Sequence, residues 1–88
     1  MKIAEGFSMR KVGKDNVVVA IGPASSKLNG LIKLNTTGAL LWDMIKDGAE
    51  KNDLVQSLCK QYGISQQNAE TDVEAFLQTL RSVDCIEE

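Results

Sequence analysis

With 88 residues, 43% of them hydrophobic, the chain is long enough to build one core, and a single domain spanning residues 1–88 is expected. A formal charge of −2 without any Lys/Arg run lacks the electrostatic footprint of a nucleic-acid binder. No apolar run approaches the roughly 20 residues that span a bilayer, and Met1 to Gly6 lacks the basic and apolar regions of a signal peptide, so a cytoplasmic protein is expected.

Alternation of apolar and polar residues from Phe7 to Val12, then the turn formers Gly13-Lys14-Asp15-Asn16, then the β-branched run Val17 to Ile21, predicts a hairpin. Gly22-Pro23-Ala24-Ser25-Ser26 reads as a loop, because Pro23 has no amide hydrogen and small polar residues follow it. A third strand is expected from about Gly30 to Leu34, with Ile32 and Leu34 on one face and Leu31 and Lys33 on the other.

Asn35 suits the N-cap of a first helix, whose Leu40, Leu41, Met44 and Ile45 recur at helical spacing until Asp47-Gly48. Trp42 lies beside that stripe and reads as a core or junction residue. A second helix runs from about Lys51 to Tyr62, with Leu54, Val55, Leu58, Cys59 and Tyr62 on one face and Gly63 as its stop. Ser65 then caps a third, where Ala69, Val73, Phe76, Leu77, Leu80 and Val83 recur at three- and four-residue steps. Strands first and helices after predict an α+β fold: a three-stranded antiparallel sheet followed by three helices, the outline of a winged helix-turn-helix.

The chain has no His, and Cys59 and Cys85 form no C-x-x-C pair, so a His-ligated zinc site and imidazole base catalysis are excluded. Both cysteines fall among apolar residues and read as packing. The carboxylates show no recognisable pairing and no Gly-rich phosphate loop appears, so neither catalysis nor a cofactor or metal is expected.

The stretch Leu34-Asn35-Thr36-Thr37-Gly38-Ala39-Leu40-Leu41-Trp42 resembles the signature of the PqqD-like family, in which a strand ending in Leu-Asn enters a helix bearing Thr-Gly and an aromatic residue. The likeness continues through Asp47-Gly48, Leu54-Val55, Asp72-Val73, Phe76-Leu77 and Leu80. One departure is Glu50, where the family usually opens its second helix with Thr or Ser; a carboxylate also favours a helix N-terminus.

The resemblance implies a recognition element for the leader segment of a ribosomally made, later modified peptide. The leader would add a strand to the edge of the third strand and lie between it and the third helix. A radical S-adenosylmethionine maturase, the usual partner in the family, would then be a separate chain, with the protein itself a monomer or homodimer.

Under that reading Leu31, Ile32 and Lys33 act chiefly through main-chain hydrogen bonds, Leu34 belongs to the same peptide-binding strand, and Leu31, Phe76 and Leu80 line an apolar cleft. Asp72, Lys33 or Arg81 sets register by charge at the rim. Phe76 and Leu80 also lie on the stripe that packs the core, so a structural role competes with peptide contact. The alternative class is a winged-helix DNA-binding regulator, for which Gln66, Gln67, Gln78 and Arg81 are a thin supply beside Glu70, Asp72 and Glu74. An acidic carrier domain would need an arm on Ser25, Ser26 or Ser57, and no Asp-Ser-Leu motif is present.

Overall fold

A computed structural model describes residues 1–88. Strand β2 (Phe7–Val12) turns through Gly13-Lys14 into β3 (Asp15–Ala20), so that Val12 faces Asp15. The strand therefore starts two residues earlier than the turn-forming character of Asp15 and Asn16 suggests. Gly13, with φ of 64°, supplies the left-handed residue that so tight a hairpin requires. A short 3-10 turn, Gly22–Ser26, leads to β4 (Leu31–Leu34), which pairs with β3. The sheet order β2-β3-β4 makes β4 an edge strand, antiparallel to its one neighbour.

Three helices follow, as the periodicity predicts: α1 (Thr36–Asp47), α2 (Lys51–Tyr62) and α3 (Gln66–Arg81). Asn35 caps α1, its Oδ1 accepting from the Gly38 amide at 2.8 Å, and Ser65 caps α3, its Oγ accepting from Asn68 at 3.1 Å. At α2 the departure at Glu50 is compensated one turn on: the Glu50 amide donates to Asp53 Oδ2 at 2.9 Å.

Sixteen buried residues form one apolar cluster between the sheet and the helices, and two sequence-level faces shift in it. The buried stripe of α1 is Gly38, Leu41, Trp42 and Ile45, spaced i, i+3, i+4, i+7, so Trp42 is core while Leu40 and Met44 flank it. Tyr62, expected on the apolar face of α2, is exposed at the helix end, where Gly63 turns the chain away. A further element escaped the sequence reading: β1 (Lys2–Ile3) pairs with β5 (Ile86–Glu87). Two-residue strands are too short to show alternation.

Cys85, just before β5, is fully buried, and burial pushes its thiol up to about 12 from an ordinary value of 9.0. The raised value means that the folded state holds this proton where the unfolded chain loses it. The contribution is complete below about pH 9 and is lost as pH climbs towards 12. With thiol reagents at neutral pH we expect the half-buried Cys59 to label first and Cys85 only on unfolding, read by intact mass with and without denaturant.

Candidate functional site

The hydrogen-bond register fixes which groups of β4 are free. Ile21 donates its amide to the Gly6 carbonyl at 2.8 Å, so odd-numbered residues of β3 aim their main chain at β2 and even-numbered ones at β4. On β4 the residues opposite Asn16 and Val18 are Leu34 and Ile32, which therefore take up the ladder bonds. The amides and carbonyls of Leu31 and Lys33 point outward, unpaired.

Side chains on β4 alternate the other way from this pattern of use. Leu34 is buried in the core and Ile32 packs half-buried against it, so both face the helices. Leu31, 57% exposed, and Lys33 turn to the open face of the sheet, where Lys33 Nζ lies 3.4 Å from Asp15. Leu31 therefore offers main-chain groups to an incoming strand but does not line a cleft on the helix side; Ile32, which does face the helices, packs against the core.

Where β4 ends, a cavity of about 350 Å³ opens between the first turns of α1 and the length of α3. Its α3 wall is the stripe Asp72, Ala75, Phe76 and Thr79, again at i, i+3, i+4, i+7, and its α1 wall includes Thr37, Gly38 and Leu41. This stripe lies beside the core stripe Ala69, Val73, Leu77 and Leu80. Leu80 is fully buried in the core and does not line the cavity. Phe76 and Asp72 do line the cavity. Arg81 points away, held by Glu74 at 3.0 Å and Glu88 at 2.8 Å. The sequence reading missed Ala75, Thr79, Thr37, Gly38 and Leu41 as wall residues. The second α3 stripe was the available signal, hidden because its members are mixed in polarity.

Gly38 makes room for Phe76. A Cβ there would lie 3.3 Å from the Phe76 ring, 3.3 Å from Asn35 Oδ1 and 3.4 Å from Leu34 Cβ. The Phe76 ring must give by a few tenths of an ångström to admit it, against the roughly 1 kcal/mol that Ala gains over Gly inside a helix. We expect the two to offset, so that Gly38→Ala shifts the urea midpoint little while displacing the Phe76 ring at the cavity wall.

A second cavity of about 350 Å³ borders the other sheet edge, between Phe7, Ser8 and Met9 of β2 and Trp42, Asp43 and Lys46 of α1. By the same parity the outward main-chain groups of β2 belong to Phe7, Met9 and Lys11. At its start the strand is already engaged, with the Phe7 amide donating to Ala4 at 3.5 Å. No group of three or more His, Cys, Asp or Glu side chains is placed to hold a metal ion. No helix is long and apolar enough to cross a membrane.

Residues 17–86 match the family described as coenzyme PQQ synthesis protein D, from β3 through the cavity to β5. The chain belongs to the PqqD family. Two solved structures share the fold of this PqqD-family protein. TbiB1, described in complex with the TbiA(beta) leader peptide, superposes with a TM-score of 0.80 at 20% identity, over 99% of this chain and 95% of that one. A lasso peptide synthetase B1, described as complexed with the leader peptide, gives 0.74 at 24% identity, over 91% of this chain and 88% of that one. No curated protein matches in sequence.

Proposed function

We propose that the protein captures the leader segment of a ribosomally made precursor peptide as an added strand on β4 and holds it for a separate modifying enzyme of the radical S-adenosylmethionine type. The observation that carries this reading is the unpaired edge at Leu31 and Lys33 running into the cavity floored by Leu41 and Phe76. An edge and an apolar-floored groove side by side are what an extended peptide uses, main chain for affinity and alternate side chains for selection. The protein acts by binding and presentation, not by turnover.

The energetics fit a groove more than an edge alone. Main-chain bonds contribute about 0.5–1.5 kcal/mol each, while association costs roughly 4–15 kcal/mol, so side-chain burial must supply the balance. A leader Leu, Ile or Phe placed against Leu41 and Phe76 contributes about 1.5–3 kcal/mol. The DNA-binding alternative finds little support on α3, whose outer face carries Glu70 and Glu74 and would set carboxylates against phosphates.

The test is calorimetric titration with leader peptides from precursors encoded beside the gene, with scrambled peptides and duplex DNA as controls. Binding at about 10⁻⁶ M or tighter by one leader and not its scramble is the expected result, with a negative heat-capacity change from apolar burial. Failure of every neighbouring leader, or salt-sensitive binding of DNA instead, would overturn the proposal.

A further inference from the structure

We infer that the captured segment carries a Lys or Arg on the face it turns towards α3, and that Asp72 is the group selecting it. The inference rests on the proposed capture at β4 and names the class of leader that this groove accepts.

Among the side chains lining the cavity, Asp72 is the one that carries a charge; the others are Asn35, Thr37, Gly38, Leu41, Ala75, Phe76 and Thr79. Asp72 also takes part in none of the chain's ion pairs. The ion pairs of α3 belong to Glu74, held by Lys51 at 3.1 Å and Arg81 at 3.0 Å, and they lie on the side of the helix away from the groove. The Asp72 carboxylate makes no side-chain hydrogen bond either, whereas Glu70 on the outer face accepts one from Gln66 at 3.3 Å.

The wider charge distribution has the same sense. Residues 1–42 hold six basic and two acidic side chains, and residues 43–88 hold four basic and ten acidic ones. The sheet half is thus net positive and the helical half net negative. A strand added to β4 sits at their junction, with its residues facing alternately away from the helices, beside Leu31 and Lys33, and towards them. A basic side chain on the inward set meets Asp72 and the negative helical half together; an acidic one there meets both with the wrong sign. Partial cover by the peptide lowers the local dielectric and strengthens that discrimination.

The experiment uses the leader that binds in the titration, resynthesised with Arg, Gln or Glu at each inward-facing position, against the wild-type protein, Asp72→Asn and Asp72→Lys. Position 72 is exposed, and thermal melts of both variants verify that they remain folded. At one position wild type should prefer Arg over Gln by about three- to tenfold and over Glu by more, with the preference shrinking as salt rises. Asp72→Asn should flatten the series and Asp72→Lys should invert it, Glu then binding best. Equal binding of all three peptides, or a preference that both variants keep, would overturn the inference while leaving strand capture standing. Loss of binding by every leader to wild type would remove the capture reading, and this inference with it.

Discussion

Replacing Lys33 by proline is expected to weaken leader binding about tenfold or more while leaving the fold in place, because two unfavourable changes coincide at one atom. The ring removes an outward amide, and the peptide carbonyl it would have served is left without a donor in a partly desolvated groove. The loss is the hydrogen bond, about 0.5–1.5 kcal/mol, together with the desolvation penalty of the orphaned carbonyl, about 1–3 kcal/mol. The protein's own ladder does not use that amide, since the pairs facing β3 are Ile32 with Val18 and Leu34 with Asn16. Proline is tolerated on an edge strand in this orientation. Lys33→Ala separates main chain from side chain: it removes only an exposed ion pair to Asp15, so affinity should change little. Ile32→Pro should do the opposite of Lys33→Pro, breaking the β3–β4 ladder and lowering Tm. Titration and thermal melts of the three variants verify the pattern, and equal affinity of Lys33→Pro and wild type would contradict strand addition at this edge.

Trp42→Ala is expected to remove a large share of the chain's stability. Trp42 is 2% exposed, and it packs in the central cluster on the same helix face as Leu41 and Ile45. Truncation of a buried aromatic of this size costs about 3–5 kcal/mol in lost transfer energy and residual cavity. A chain of this length has total stability of roughly 4–13 kcal/mol. The midpoint of thermal unfolding should fall by at least about 12 °C, measured by far-ultraviolet circular dichroism. A fall of only a few degrees would mean that the core closes around the gap. Binding measured on this variant would mix any loss of folded protein with loss of contact, so it does not separate the two roles of Trp42.

Most of the architecture could be read from residue pattern because each element carries its own boundary chemistry. Asn35 and Ser65 announce helix starts by offering an oxygen to free amides, and Gly63 ends α2 with φ of 65°, where a side chain would be strained. What pattern could not supply is which face of an element meets which neighbour. On α1 two overlapping stripes compete, and only packing against the sheet and α2 selects Leu41, Trp42 and Ile45 over Leu40 and Met44. The β1–β5 pair is held by long-range contacts, including the Ala4 amide on the Cys85 carbonyl at 2.7 Å, and no local sequence feature announces those.

The site was legible in its parts and not in its assembly. Alternation placed Leu31 and Lys33 on one face of the third strand and Ile32 and Leu34 on the other, but the side turned to the helices depends on the hairpin register. Periodicity put Phe76 and Leu80 on one broad apolar face; the helix rotation separates them, Phe76 into the cavity and Leu80 into the core. Asp72 reads in sequence as part of an acidic, solvated face with Glu70 and Glu74. The structure divides that set, with Asp72 in the groove and Glu74 paired to Lys51 and Arg81. Those pairs hold the Glu74 carboxyl below the ordinary range, and Arg81 likewise lowers Glu88, so their contribution to stability is present above about pH 4.5 and is lost as pH falls further.

Amide hydrogen exchange, followed residue by residue by NMR with and without the bound leader, tests the central claim most directly. Strand addition on β4 predicts that the Leu31 and Lys33 amides, exchange-prone in the free protein, slow by about tenfold or more on binding, while those of Phe7, Met9 and Lys11 on the opposite edge do not change. Protection of the β2 amides instead, or a bound state in which Leu31 and Lys33 exchange as fast as before, would contradict it.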